Sequence, residues 1–361
     1  MRLTVLTGFL GAGKTTLLNR LLADPAVTDT AVIVNEFGAV AIDHLLVEAS
    51  SDGVIELADG CLCCTVRGEL VETLLALAER NRTAAAPLRR VVVETTGLAD
   101  PIPILAAVMT HPALLQAYAL DGVVTVVDAL DGARHLQAHD EAQRQVAVAD
   151  RIVLTKADLV GRDVVAAARR AIGAIGPHGP VLLAGTDEAA PDKLLGEGAG
   201  SLAAAADLGR WLPETEHDRL HPAHHHGHHH DEAHSHHGTI RSFSLTEARP
   251  LPESAVAAFL DLLQTTQGER LLRMKAIVHT SESPERPLVL HGVRSFLHPP
   301  VRLPAWPAGV ERGSRMVLIG DGLDERYVRD LFAAFTGGLR TDAPDAAALT
   351  DNPLAIPGVT F

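Results

Sequence analysis

The chain opens with Leu3-Thr4-Val5-Leu6-Thr7-Gly8-Phe9-Leu10-Gly11-Ala12-Gly13-Lys14-Thr15-Thr16, and this stretch decides the fold. An apolar strand runs into a loop that fits the pattern G-x-x-x-x-G-K-[ST], and a predicted helix follows at once. Strand, glycine loop and helix in this order form the context that a phosphate-binding P-loop requires. The loop's N–H groups and the positive end of the helix dipole then face the phosphates.

The loop residues divide the work of holding a nucleoside triphosphate. We expect the Lys14 ammonium to reach the β- and γ-phosphates and the Thr15 hydroxyl to bind Mg²⁺. The full predicted set of loop contacts is Gly8, Gly11, Ala12, Gly13, Lys14, Thr15 and Thr16.

Further along the chain, apolar strand-like runs alternate with amphipathic helix-like stretches. The runs lie at residues 3–6, 31–34, 54–57, 91–93, 123–127, 152–154 and 181–183. This alternation predicts an α/β P-loop NTPase fold, with a mostly parallel sheet and helices on both faces.

Two of these strands end in residues suited to the nucleotide. Val91-Val92-Val93 runs into Glu94, which we predict to hold Mg²⁺ through water, and Gly97 follows at a position where its N–H can sense the γ-phosphate. With Lys14 and Thr15, Glu94 completes the predicted catalytic set.

A second motif, Thr155-Lys156-Ala157-Asp158, follows the strand over residues 152–154. The Asp158 carboxylate can accept two hydrogen bonds from guanine, whereas adenine lacks that pair of donors, so the motif predicts selection of GTP. Lys156 would lie over the plane of the base. Thr155 stands where many GTPases carry Asn, and its hydroxyl can supply a hydrogen bond at the loop.

The three cysteines lie within four positions, at Cys61, Cys63 and Cys64. Side chains of an extended segment alternate, so Cys61 and Cys63 point the same way, and a turn can add Cys64 to a tetrahedral Zn²⁺ site. Thiolates prefer such a metal to Mg²⁺. Glu36 and His111 are candidates for a further ligand by their chemistry.

Composition changes sharply after residue 210. Eleven of the 19 histidines fall within residues 217–237, where apolar residues are almost absent, so this run cannot form a core. Clustered imidazoles bind Zn²⁺, Ni²⁺, Co²⁺ and Cu²⁺. We predict a GTPase domain over 1–210, a disordered His-rich linker over 211–238, a smaller α+β domain over 239–340 and a tail over 341–361.

The overall charge and hydropathy exclude several classes of function. A formal net charge of −14 argues against sequence-independent nucleic-acid binding, which needs a basic surface. We find no apolar run of about 20 residues and so expect no membrane span. The start of the chain has no signal-peptide pattern, and reduced thiols in a metal site are typical of the cytoplasm, where we place the protein.

Together these motifs resemble the CobW-type GTPases, a family of P-loop metal chaperones, over nearly the whole chain. The resemblance rests on GFLGAGKTT at 8–16, NEFG at 35–38, GCLCC at 60–64, ETTGLADP at 94–101 and TKAD at 155–158, and more weakly on RMKA at 273–276 and Trp306. It implies GTP hydrolysis coupled to delivery of a metal, zinc or cobalt, to a client metalloprotein, with Glu36 joining the cysteines at the metal. Ala39 stands where an acidic residue often follows NEFG.

Other functions fit the same residues. The chain could be a zinc buffer that stores metal at residues 217–237 and keeps a residual nucleotide site, or a GTPase that inserts cobalt or nickel. Turnover of GTP separates the first of these from a chaperone. Related P-loop proteins often dimerise around nucleotide, and a homodimer is compatible with the sequence without being indicated by it.

Overall fold

The computed structural model of the protein describes residues 1–34, 54–56, 65–176, 180–195, 240–307 and 310–337. Four predicted features lie outside these residues: the Asn35–Gly38 segment with Glu36, the Cys61–Cys64 loop, the histidine run over 217–237 and the tail. The division into four parts stays a prediction. The predicted fold class is confirmed, since a parallel α/β sheet is followed by a smaller sheet with helices.

Within the described residues the first sheet has seven parallel strands in the order β3-β2-β4-β1-β5-β6-β7. The strands are β1 (Arg2–Gly8), β2 (Thr30–Val34), β3 (Val54–Glu56), β4 (Arg90–Glu94), β5 (Ala119–Asp128), β6 (Arg151–Thr155) and β7 (Val181–Leu183). Strands β1, β4 and β6 read as continuous apolar runs because helices cover both faces of the sheet. Leu3, Val5 and Val93, for example, are fully buried.

The helices of this part bracket the strands. They are α1 (Lys14–Leu22), α2 (Thr65–Thr83), α3 (Ile102–Thr110), α4 (Pro112–Ala117), α5 (Gly132–Ala138), α6 (Asp140–Ala147), α7 (Arg162–Ile175) and α8 (Pro191–Leu194). The sequence did not predict α3 to α6. Helix α3 is buried almost all round, which removes the amphipathic period, and α4 to α6 are too short to establish one.

The second sheet is antiparallel, in the order β11-β10-β9-β13-β8, with β12 paired to β10. Its strands are β8 (Ile240–Glu247), β9 (Leu271–Val278), β10 (Leu288–Val293), β11 (Phe296–Leu297), β12 (Val301–Arg302) and β13 (Ser314–Asp321). Two helices, α9 (Glu253–Gln267) and α10 (Glu325–Thr336), cover one face, and Phe259 meets Phe332 edge-on across them at 5.2 Å.

The two sheets share a buried interface. On β9, Met274 and Ala276 face the helices, whereas Arg273 and Lys275 alternate onto the other face and reach Asp150, which precedes β6. Lys275 Nζ lies 3.1 Å from the Asp150 carboxylate, and Arg273 also donates to the Val148 carbonyl. This interface therefore holds the C-terminal sheet beside the end of α6.

Charge and burial oppose each other at this interface. Burial alone would raise the pKa of the Asp150 carboxyl, but Arg273 and Lys275 hold it well below its usual range. Burial, together with repulsion from Arg273, lowers the pKa of Lys275 to about 8. Burial and the neighbouring His298 lower the pKa of His291 to about 3, so that imidazole stays neutral at pH 7.

Candidate nucleotide-binding site

The P-loop joins the end of β1 to the start of α1. Gly13 caps α1 with φ 93°, in the left-handed region that favours glycine, and the next residue, Lys14, begins the helix. The Ala12 N–H donates to the Phe9 carbonyl at 3.1 Å, which closes the loop into a tight turn. The N–H groups of the first turn of α1, at Lys14, Thr15 and Thr16, therefore open onto the concave side of the loop.

The Lys14 side chain folds back over this loop. Its Nζ donates to the Gly8 carbonyl at 3.0 Å and contacts the Phe9 carbonyl at 3.5 Å. An ammonium held over a ring of backbone N–H groups is suited to the β- and γ-phosphates of a nucleotide.

Thr15 and Glu94 meet although they are far apart in the sequence. Strand β4 pairs with β1 so that Leu6 lies opposite Glu94, which brings the carboxylate to the end of the P-loop strand. Thr15 Oγ1 donates to Glu94 Oε1 at 2.8 Å, and Glu94 is only 4% exposed. A hydroxyl and a buried carboxylate are hard oxygen donors of the kind Mg²⁺ takes, so these two residues fit that ion.

The predicted guanine-binding loop is tied directly to the P-loop. Thr155, the last residue of β6, donates its hydroxyl to the Ala12 carbonyl at 2.6 Å, and both residues are buried. Thr155 thus supplies a hydrogen bond at this loop, as the sequence predicted for the residue that replaces Asn. Asp158 lies in a short 3₁₀ turn after β6 and is exposed, where it can receive a base from solvent.

Lys156 has a counterion that sequence reasoning missed. Its Nζ lies 3.7 Å from Asp128 Oδ2, and Asp128 is nearly fully buried at the end of β5, where it also accepts from the Asp131 N–H. The signal was present, since Asp128 ends an apolar strand as Glu94 does. The pair holds the Lys156 stem beside the place predicted for the base.

Gly97 lies hard against the P-loop. A Cβ at position 97 would come within 2.7 Å of the Leu10 backbone, so only glycine fits there without displacing the loop. The residues that lead into it are fixed, because the Thr95 N–H donates to the Leu6 carbonyl and its hydroxyl to Thr7. The turn that begins at Gly97 is therefore in direct contact with the phosphate-binding loop.

Aromatic rings surround Phe9, a P-loop residue that the sequence analysis left without a role. Phe9 stacks on His139 with ring centroids 4.6 Å apart and tilts against His135 at 4.7 Å. These contacts anchor the outer side of the loop to α5 and the residue after it.

The predicted metal ligands Cys61, Cys63, Cys64 and Glu36 lie outside the described residues. His111 lies between α3 and α4, and its Nδ1 is buried with no hydrogen-bond partner in the part of the chain that the structure describes. The same part contains no group of three or more His, Cys, Asp or Glu side chains placed to hold a metal ion.

Known families match both sheets. Residues 2–182 match the CobW/HypB/UreG nucleotide-binding domain, and residues 240–336 match the C-terminal domain of the cobalamin synthesis protein CobW. No helix among the described residues is long and apolar enough to cross a bilayer.

The chain is also similar to individual proteins and to a crystal structure. The chain is 32% identical over 362 aligned positions to the zinc chaperone CobW of a Sinorhizobium species, covering 92% of this chain and 96% of that protein. It is 44% identical over 158 residues to the zinc chaperone YjiA of Escherichia coli, a match that spans 44% of this chain and 50% of that protein. The crystal structure of the Zn(II)-bound YjiA GTPase from E. coli aligns with a TM-score of 0.63 at 25% identity, covering 93% of this chain and 98% of that one.

Proposed function

Because this chain belongs to the CobW/HypB/UreG family of nucleotide-binding proteins and is a GTPase of that family, we propose that it is a metal chaperone driven by GTP hydrolysis. Its cargo is Zn²⁺, which it binds with Cys61, Cys63, Cys64 and Glu36 and passes to a client metalloprotein in the cytoplasm. The names of two relatives, both zinc chaperones, favour zinc over cobalt or nickel as the cargo.

The register of the parallel sheet is the observation that carries this proposal. Val34, the last residue of β2, lies opposite Glu94 on β4 and opposite Glu56 on β3. The segment that contains Glu36 begins directly after Val34, and the segment that contains Cys61–Cys64 begins directly after Glu56. The described strands that precede these segments, β2 and β3, therefore end within about 5–10 Å of Glu94, since neighbouring strands are about 5 Å apart.

This placement gives the nucleotide a short route to the cargo. A change around the phosphates, at Thr15 and Glu94, takes place one strand away from the start of the Glu36 segment. Withdrawal of a single ligand weakens the binding of a metal at a four-coordinate site. GTP binding or hydrolysis can therefore alter the metal affinity directly, and linkage makes that coupling reciprocal.

The protein's own residues account for binding of the nucleotide. Lys14 and the first turn of α1 hold the phosphates, and Asp158 selects guanine through its two acceptors. Mg²⁺, when bound at Thr15 and Glu94, neutralises charge on the β- and γ-phosphate oxygens. Among the described residues we assign none to orient the attacking water. We therefore expect slow hydrolysis of GTP that a partner accelerates.

The test measures Zn²⁺ affinity by competition with a chelator, in GDP and in a non-hydrolysable GTP analogue. A coupling of typical size predicts a change of roughly 5- to 150-fold between the two states. Cys63→Ala should weaken zinc binding in both states and make GTP hydrolysis insensitive to zinc. Lys14→Ala is the control for the role of the nucleotide. It should abolish GTP turnover and leave the unfolding midpoint near that of wild type.

Two results would contradict the proposal. Equal zinc affinity in both nucleotide states, with hydrolysis indifferent to zinc in the wild type, would favour a zinc buffer with a residual nucleotide site. Tighter coupling of GTP to Co²⁺ or Ni²⁺ than to Zn²⁺ would assign the chain to insertion of those metals.

Light scattering in the same two nucleotide states tests whether the chain forms a homodimer.

A further inference from the structure

A buried glutamine holds the turn that follows Gly97. Gln145, on α6, donates from Nε2 to the Gly97 carbonyl at 3.1 Å and to the Ala99 carbonyl at 3.0 Å. The side chain is 1% exposed. Both partners are carbonyl oxygens, which only accept, so the amide nitrogen has to be the atom that faces the turn.

The Gly97 turn has little room to move by itself. On one side it touches Leu10 of the P-loop, and on the other its carbonyls are bound to Gln145. A shift that brought the Gly97 N–H to a γ-phosphate would therefore either break these two hydrogen bonds or move α6 with the turn. The contact of the Gly97 carbonyl is buried, and leaving this carbonyl unpaired is unfavourable, which favours movement of the helix.

The preceding residue on α6, Arg144, connects to the C-terminal sheet. Arg144 forms an ion pair with Asp321, at the end of β13, at 3.1 Å, and lies 4.0 Å from Asp100. Asp100 ends the Gly97 turn and lies 4.0 Å from Arg294, which occupies the tight turn between β10 and β11. Its other carboxylate oxygen accepts from the Ile102 N–H at 2.9 Å and so caps α3.

Helices α3 and α6 both pack against the C-terminal sheet, α3 on β10 and β11 and α6 on β8 and β9. The charged side chains at this junction are between 23% and 35% exposed. Ion pairs this open contribute little to stability. Their effect is on geometry, since they connect one turn of the nucleotide site to two turns of the neighbouring domain.

From these contacts we propose that Gln145 is a positioning residue for the Gly97 peptide, and that Asp100, through Arg144 and Arg294, transmits the position of that turn to the C-terminal domain. The proposal rests on GTP binding at the P-loop and is independent of the metal cargo. The γ-phosphate then shifts the domain junction as well as the nucleotide site. The C-terminal sheet is a surface through which a bound client can alter GTP turnover.

The experiment measures dissociation constants for GDP and for a non-hydrolysable GTP analogue, without zinc. Gln145→Met removes both hydrogen bonds at similar volume, and we expect the ratio of the two constants to change by at least about fivefold. Asp100→Asn keeps an acceptor for the Ile102 N–H but removes the charge that faces Arg144 and Arg294. For Asp100→Asn we expect the ratio of the two dissociation constants to change in the same direction as for Gln145→Met, with the affinity for GDP close to that of wild type.

Glu269→Gln is the matched control. Glu269 is 92% exposed and pairs with Arg294 at 3.4 Å, so this change removes the other carboxylate of the same arginine. It should leave the ratio of affinities within about twofold of wild type, as expected for an exposed pair. Should Gln145→Met fail to fold, Asp100→Asn against this control decides the question.

Hydrogen exchange gives a second reading at the domain junction. Amides over residues 292–297 should differ in protection between the GDP and GTP-analogue states in the wild type, and Asp100→Asn should abolish the difference. The proposal is overturned if the ratio of affinities is unchanged in the folded variants, or if these amides exchange alike in both states of the wild type. Loss of GTP binding by the wild type would instead refute the proposed function.

Discussion

Thr155→Val removes one hydroxyl and keeps the branched shape of the side chain. In the structure this hydroxyl lies 2.6 Å from the Ala12 carbonyl, and Thr155 and Ala12 are 8% and 1% exposed. Valine leaves that carbonyl without its donor in a site that water barely reaches. An orphaned buried acceptor costs about 1–3 kcal/mol, and this range is the expected loss of stability for the GTP-bound protein.

A thermodynamic cycle divides this loss into two measurable parts. The loss in the nucleotide-free protein, from urea unfolding, and the loss of GTP affinity, from titration, must add up to the loss in the bound protein. If the P-loop keeps its shape without the bond, the unfolding free energy carries the whole cost. If the loop instead rearranges to solvate the Ala12 carbonyl, GTP binding has to return the loop to its original shape. The affinity for GTP then falls, and the full cost of about 1–3 kcal/mol corresponds to about 5- to 150-fold.

Thr155→Ser is the control, because it keeps the hydroxyl and loses only a methyl group. It should retain most of the GTP affinity. The reasoning is refuted if the GTP-saturated Thr155→Val protein is within about 0.5 kcal/mol of wild type, or if serine costs as much as valine. Either result would mean that the hydroxyl does not hold the P-loop and the guanine loop together.

Three further predictions concern other parts of the molecule. Asp158→Ala should weaken GTP binding by about 5- to 150-fold through lost charge-assisted hydrogen bonds and leave ATP binding unchanged, and equal affinities of the wild type for GTP and ATP would contradict this assignment. Asp150→Asn should destabilise the domain interface by about 3–5 kcal/mol at pH 7, because it leaves Arg273 and Lys275 buried without their carboxylate. The pKa of Asp150 is lowered in the folded protein. Its contribution to stability is therefore present above the unfolded pKa of about 3.9 and is lost as the pH falls through the lower folded pKa. The difference in unfolding free energy between wild type and Asp150→Asn should narrow accordingly as the pH is lowered. Deletion of residues 217–237 should lower the number of metal ions bound per chain and spare GTP hydrolysis, and a deletion that unfolds the protein would show that the predicted linker boundaries are wrong.

Much of the nucleotide domain could be predicted from the sequence because its signals are local. The run from Leu3 to Thr16 carries strand, loop and helix within one stretch, and the strands over 152–154 and 181–183 are recognisable as apolar segments. The structure gives these elements nearly the predicted bounds, with β6 at Arg151–Thr155 and β7 at Val181–Leu183. The roles of Lys14 and Asp158 stay predictions, but their placement at the same edge of the sheet follows from the pattern, since each residue comes after the carboxyl end of a parallel strand.

The sequence alone could not give the partners of those residues. Thr155 and Ala12 are 143 residues apart, and Gln145 and Gly97 are 48 apart. Their contacts depend on the strand order, in which β1 lies between β4 and β5, and a period of two or 3.6 residues does not encode which strands become neighbours. Helix α6, which carries Gln145, is also too short for periodicity to reveal.

The domain interface was decided in the same way by tertiary structure. The alternation of side chains in β9 places Arg273 and Lys275 on the face away from their own core, but nothing in it says that this face meets Asp150, more than 120 residues earlier. A buried charge is stable only when an opposite charge is brought to it, and folding of both domains does that. The sequence thus determined the elements and the nucleotide motifs, and the packing of the two sheets determined which side chains connect them.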